Sequence, residues 1–285
     1  MTAASPPVQA ARAGGPAVPP ASHHVGFGHL MLAEWTKIRS VRSTVWTLLL
    51  FVAITIGLTV LLTWLTAANW NGPRAAPRDA TVLSDPVSLI MGAGIGLGQL
   101  TICVLGAMTF TTEYSSGVIR ASLLAVPRRI PMLAAKAAVF ALLLVVLAEI
   151  VAFGSFFVGS TILHSHVAVS LGDKDVTRAV VGAGLYLAVL GLFAMGIGTL
   201  LRHTAAAITT TIGVVLVLPI LSGLLPSSWG AHINAYLPEQ AGSLIYGAHK
   251  ASGALLSPWQ GFGVFCLWTA VLLAAGAYLL KRRDA

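Results

Sequence analysis

Six stretches of this 285-residue chain are long and apolar enough to cross a bilayer, which leaves room for few folds. They cover 44–66, 87–112, 137–163, 179–201, 205–225 and 259–280. About 20 apolar residues, rising roughly 1.5 Å each, traverse a hydrocarbon core of about 30 Å. Lipid offers no hydrogen-bond partner, so each stretch must satisfy its own backbone as a helix. The expected fold class is an all-α integral membrane protein with six transmembrane helices and, ahead of them, an amphipathic interfacial helix. Only 9% of residues are charged, against about 25% in soluble domains. Cys103 and Cys266 both lie inside apolar stretches, where a thiol serves as a small hydrophobe and implies no disulfide framework.

The basic residues fall unevenly about these spans. One side holds 12 Lys and Arg against three acids (Glu34, Glu113 and Asp284), a net +9. The other side holds five of each sign, a net of zero, and Glu149 sits within the third span. Positive residues stay in the cytoplasm. An even number of spans then puts both termini there, in a multi-pass protein of the cell membrane. The basic balance reflects topology and anionic inner-leaflet lipid, and no nucleic-acid partner is implied.

Residues 1–26 are rich in Ala, Pro, Gly and Ser and read as a disordered cytoplasmic tail. The tail lacks the compact apolar region of a signal peptide. Residues 27–43, "FGHLMLAEWTKIRSVRS", place Phe27, Leu30, Met31, Ile38 and Val41 on one arc, flanked by Lys37, Arg39 and Arg42. That pattern suits a helix lying at the inner interface, with Trp35 near the headgroups. Glu34 projects within the apolar arc and either pairs with Lys37 or faces a protein partner. The long loop 226–258 keeps Trp229, Ile233, Tyr236, Leu237, Leu244 and Tyr246, which suits short helices dipping into the outer interface.

Chemistry-bearing motifs are scarce. No Gly-Lys pair occurs, so the phosphate-cradling G-x-x-x-x-G-K-[ST] loop is absent. "GAGIGLG" at 92–98 does not fit G-x-G-x-x-G; it satisfies G-x-x-x-G twice, through Gly92/Gly96 and Gly94/Gly98, which suits close helix packing in lipid. Glu149 is either a substrate-path or proton-relay residue or a carboxylic acid bonded to a neighbouring helix. Gln99 is a second pathway candidate. Thr101, Thr109 and the Thr209–Thr211 run are expected to bond their own helix backbones. His164 and His166 are too few for a metal site. No nucleophile–base set is visible, so the chain is expected to be no enzyme and to hold no cofactor.

One polar segment interrupts the apolar pattern: "TTEYSSGVIRASLLAVPRRIPML", 111–133. Glu113 ends the second span, Ser115 or Ser116 can cap a short helix over Val118–Val126, and Pro127 stops it. The product is a small basic knob, longer than a mere connector needs.

"AEWTKIRSVRSTVW" at 33–46 and "TTEYSSGVIRASLLAVPRR…K" at 111–136 resemble the permease subunits of ABC-2 type transporters, actinobacterial ones in particular. The resemblance extends from about Phe27 to Asp284; Val118 stands where Thr is common. It implies that 27–43 is the family's connecting helix and that the segment after the second span is a coupling helix seated on a separate ATP-binding subunit. Glu113, Tyr114, Ser115, Ser116, Gly117, Arg120, Arg128 and Arg129 are then the expected contacts with that subunit. It also implies a second permease chain, identical or not, export of a cargo the sequence does not specify, and ATP-Mg bound by the partner alone. A proton-coupled transporter using Glu149, or a non-transporting sensor or immunity protein, are the alternatives.

Overall fold

The computed structural model describes residues 26–72, 76–117, 129–248 and 255–282. Within them the chain is helical. It runs α1 (Phe27–Ser40), α2 (Arg42–Ala68), α3 (Ala76–Ser84), α4 (Pro86–Ser115), α5 (Arg129–Leu163) and α6 (Val176–Leu201). The fifth span is composite: α7 (Thr204–Ile212), a wide π turn over Gly213–Val217, and α8 (Leu218–Ser222). Then come α9 (Ser227–Tyr236), α10 (Pro238–Ser243), a 3₁₀ turn over Leu244–Tyr246, and α11 (Pro258–Arg282). Six of these helical stretches are long and apolar enough to span a bilayer, and the protein is an all-α, multi-pass membrane protein. Most of the tail, and the short helix expected over Val118–Val126, lie outside the described residues.

Helix ends follow local chemistry. Asp85 caps α4, accepting from the Ser88 backbone N–H at 3.0 Å and the Ser88 hydroxyl at 2.6 Å, with Pro86 at the first helical position. At its other end α4 runs to Ser115, and Gly117 takes the left-handed conformation (φ +73°) that commonly closes a helix. Pro219 cannot donate to the helix ladder, and the wide turn lies directly before it.

The helix faces are sorted for lipid. Along α2, Thr55, Thr59, Thr63 and Thr66 are buried while Trp46, Leu49, Leu50 and Leu61 point outward. Lipid is as apolar as leucine, so leucine gains little by going inside, and small or hydroxylated residues take the helix contacts. Gly94 and Gly98 of α4 lie against this threonine face; a Cβ on Gly94 would run into the Thr55 carbonyl, and one on Gly98 into the Thr55 hydroxyl. Gly92 and Gly96, by contrast, meet open space. Of the two glycine pairs, Gly94/Gly98 packs against a second helix; at Gly92 and Gly96, on the opposite face of α4, an added Cβ would meet none of the described residues within 4 Å.

The fourth span, α6, is the axis of the bundle: 78% of its most apolar stretch is buried, against 17% for α2. It is bracketed by α4, α5 and α11. At the end far from α1, the segment after α9 folds back into the bundle. Gly242 abuts Phe265 and Tyr186, Gly261 abuts Ala241, and Gly182 abuts Ile245. Arg178 fastens this segment by donating to the carbonyls of Ile245 (2.9 Å), Gly247 (3.0 Å) and Ala248 (3.1 Å).

Candidate functional site

At the α1 end of the bundle, four charged side chains meet from three helices. Leu30 and Glu34, one turn apart, form the buried stripe of α1. The carboxylate in the apolar arc is therefore the centre of the buried face. Lys136, in the second turn of α5 and 4% exposed, donates to Glu34 Oε2 at 2.5 Å and to Glu113 Oε1 at 2.8 Å. Lys37, at the rim, donates to Glu34 Oε1 at 2.8 Å and Glu113 Oε1 at 3.3 Å. Two ammoniums and two carboxylates so placed leave the cluster neutral, as burial requires.

Glu34 and Lys37 are charged through the neutral range. Burial alone would raise the Glu34 carboxyl, but Lys136, and after it Lys37, hold it below the ordinary carboxylate range. Burial alone would lower the Lys37 ammonium, but Glu34 and Glu113 hold it above its usual value. The Glu34 contribution to stability is present above the ordinary carboxylate pKa and is lost as pH falls. That of Lys37 is present below the ordinary lysine pKa and is lost as pH rises past it.

The geometry of the helices makes this cluster a clamp. At roughly 1.5 Å per residue, the 30 residues of α4 and the 35 of α5 exceed the hydrocarbon thickness. Their ends frame the segment 118–128, and α1 is ionically bound to both. Movement of either helix end at this point must carry α1 or break a buried ion pair.

The expected partner-contact residues divide here. Glu113 does not face outward as a contact residue would: it is 9% exposed and committed to two lysines. Tyr114 also turns inward, its ring 5.4 Å from Phe110 and covered by the Arg202 guanidinium at 4.9 Å. The reason is that α4 continues past Glu113 to Ser115, so both residues keep a helical register that points them at the bundle. Ser115, Ser116 and Gly117 are exposed. Arg120 and Arg128 lie outside the described residues, and Arg129 is described only as the first residue of α5.

The two pathway candidates are not brought together. Gln99 is buried, accepts the Tyr186 hydroxyl at 2.6 Å and donates to the Gly96 carbonyl at 3.2 Å, so it is a satisfied core amide. Glu149 lies against the bare Cα of Gly184, and its Oε2 has no partner among the described residues. Gly184 and Tyr186 are two residues apart on α6, positions that do not face the same way. Thr101, Thr109, Thr209 and Thr211 each donate to a carbonyl of their own helix. His166 lies 4.7 Å from Trp70 and 2.8 Å from the Ser165 hydroxyl.

The Glu34–Lys136 pairing escaped sequence reasoning, since its members are 102 positions apart; the signal that pointed to it was the acid inside an apolar arc. A scan against protein-family models finds no match for this chain, and a search of curated proteins finds none either.

Proposed function

We propose that the chain is the membrane-spanning permease subunit of an ATP-driven exporter of the ABC-2 type, in the cell membrane with both termini cytoplasmic. The observation that carries this reading is the Lys136 ion-pair cluster, which ties α1 to both helices framing 118–128. A nucleotide-driven subunit pressing on that frame would move α1, α4 and α5 together. Supporting it are the E-Y-x-x-G-x-I-R…P-R-R pattern at 113–129 and the charge asymmetry between the two sides. Exposed Ser115, Ser116 and Gly117, with Arg120, Arg128 and Arg129 beyond them, form the docking surface in this reading. Glu113 and Tyr114 position it from inside. ATP and magnesium belong to the partner, hydrolysis occurs there, and a second permease chain completes the pore. Coupling requires a contact that differs between the partner's states.

The test is co-expression with a candidate ATP-binding protein, sought first in the reading frames beside this gene. Arg120→Glu with Arg128→Glu should abolish ATPase co-purification and leave membrane insertion intact; unchanged co-purification would remove the assignment. A second reading rests on the Oε2 of Glu149, which has no partner among the described residues: a proton-coupled transporter. It requires uptake or efflux without any ATPase, abolished by Glu149→Gln.

A further inference from the structure

A cavity of about 370 Å³ lies beside the charged cluster, between α1, α2, α4 and α5. Its walls are apolar at Val41, Leu105, Met108 and Phe140 and polar below. Four of the hydroxyls that line it direct their protons elsewhere. Thr47 donates to the Ser43 carbonyl (2.9 Å), Thr109 to Leu105 (2.8 Å), Thr112 to Met108 (2.8 Å) and Ser116 to Thr112 (2.7 Å). Their oxygens therefore remain as acceptors. Glu113 adds a stronger one. Its Oε1 takes both lysines, while its Oε2 is buried with no partner among the described residues. A buried carboxylate oxygen left so calls for a donor. At the mouth Lys37 is 40% exposed and uses two of its three N–H groups, on Glu34 and Glu113.

We propose that this cavity binds the headgroup of an aminophospholipid. The primary ammonium donates to Glu113 Oε2 and the neighbouring hydroxyl oxygens, the phosphate takes the remaining Lys37 N–H, and the acyl chains run past Met108, Leu105 and Phe140. The four charges of the cluster sum to zero, which suits a zwitterion. An anionic headgroup without an amine leaves the acceptors unmet, and a quaternary ammonium has no N–H to give. The inference does not depend on an ATPase partner, because lipid occupancy is read on this chain alone.

The experiment places the purified full chain in nanodiscs of equal phosphatidylethanolamine and phosphatidylcholine, two lipids that differ by N-methylation of the same amine. Retained lipid is then read by native mass spectrometry. Phosphatidylethanolamine should be enriched roughly tenfold, the scale of one charge-assisted hydrogen bond. Met108→Trp, which narrows the acyl path and leaves the four charges in place, should reduce the enrichment several-fold. Should that variant fail to fold, Thr109→Val with Thr112→Val, which removes two acceptors at similar volume, should reduce it several-fold. Equal retention of the two lipids, or enrichment unchanged in these variants, would overturn the proposal. So would binding of dodecylamine at this site without phosphatidylethanolamine, which would assign the cavity to a soluble amphiphile.

Discussion

Lys136 and Glu34, far apart along the chain, meet at 2.5 Å with side chains only 5% and 6% exposed. Neither is tolerable there alone, because a buried charge without its counter-ion costs far more than the pair contributes. Lys136→Met should therefore destabilise the detergent-purified protein by about 3–5 kcal/mol. Combining it with Glu34→Gln and Glu113→Gln should recover much of the loss, since three neutral groups replace an unbalanced pair of acids. Thermal unfolding of the single and triple variants checks this; an additive series would dissolve the cluster into independent surface charges.

Gly94 and Gly96 share a helix but not a neighbour. Gly94→Ala drives a Cβ into the backbone of Thr55 and should cost about 1–3 kcal/mol through separation of α2 from α4. Gly96→Ala meets no atom within 4 Å and should be neutral or slightly stabilising by its better helix propensity. Because propensity is common to both substitutions, the difference in melting temperature isolates the packing term.

Glu239, in α10, has its carboxyl pushed up to about 7 by burial. The folded protein then holds a proton that the unfolded chain releases from its ordinary carboxylate value upward. Stability must fall as pH rises from the ordinary carboxylate value to about 7, and level off above. Melting curves across that range should show a decline of a few degrees, flattened in Glu239→Gln.

Arg178 holds three carbonyls with one planar group. A lysine there cannot reproduce the fork. Arg178→Lys should raise hydrogen exchange and protease cleavage over residues 244–248 while leaving the six spans protected. Cleavage equal to that of the unsubstituted protein would mean that the glycine contacts alone seat the segment.

Hydropathy made the six spans legible, but it marks where lipid begins, not where helices end. The third span begins at residue 137 by apolarity, whereas α5 starts at Arg129 and carries Lys136 in its second turn. The second reads as 87–112, yet α4 continues through Glu113 and Tyr114, which is why those two face inward. The fifth, by contrast, stops at Ser222, three residues short of the apolar run. Long-range pairing was the illegible part. Glu34 stood out as an acid on an apolar arc, but only the fold brings Lys136 to it. Likewise both G-x-x-x-G pairs read alike along the chain, and the three-dimensional arrangement alone decides which pair meets a neighbour.

The wide turn over Gly213–Val217 has a consequence for the whole fifth span. Its inward residues, Ala207, Thr211, Val215 and Pro219, recur at strict intervals of four. In ordinary α-winding each such interval overshoots a full circle by roughly 40°, so three of them would spiral the stripe by about 120°. The π turn takes up extra residues in one loop and unwinds that spiral. It thus keeps Pro219 and Ser222 aimed where Asn234 grips them, with Nδ2 at 3.4 Å from the Pro219 carbonyl and 2.8 Å from the Ser222 hydroxyl. A perfectly regular rod of this sequence would turn that anchorage toward the acyl chains.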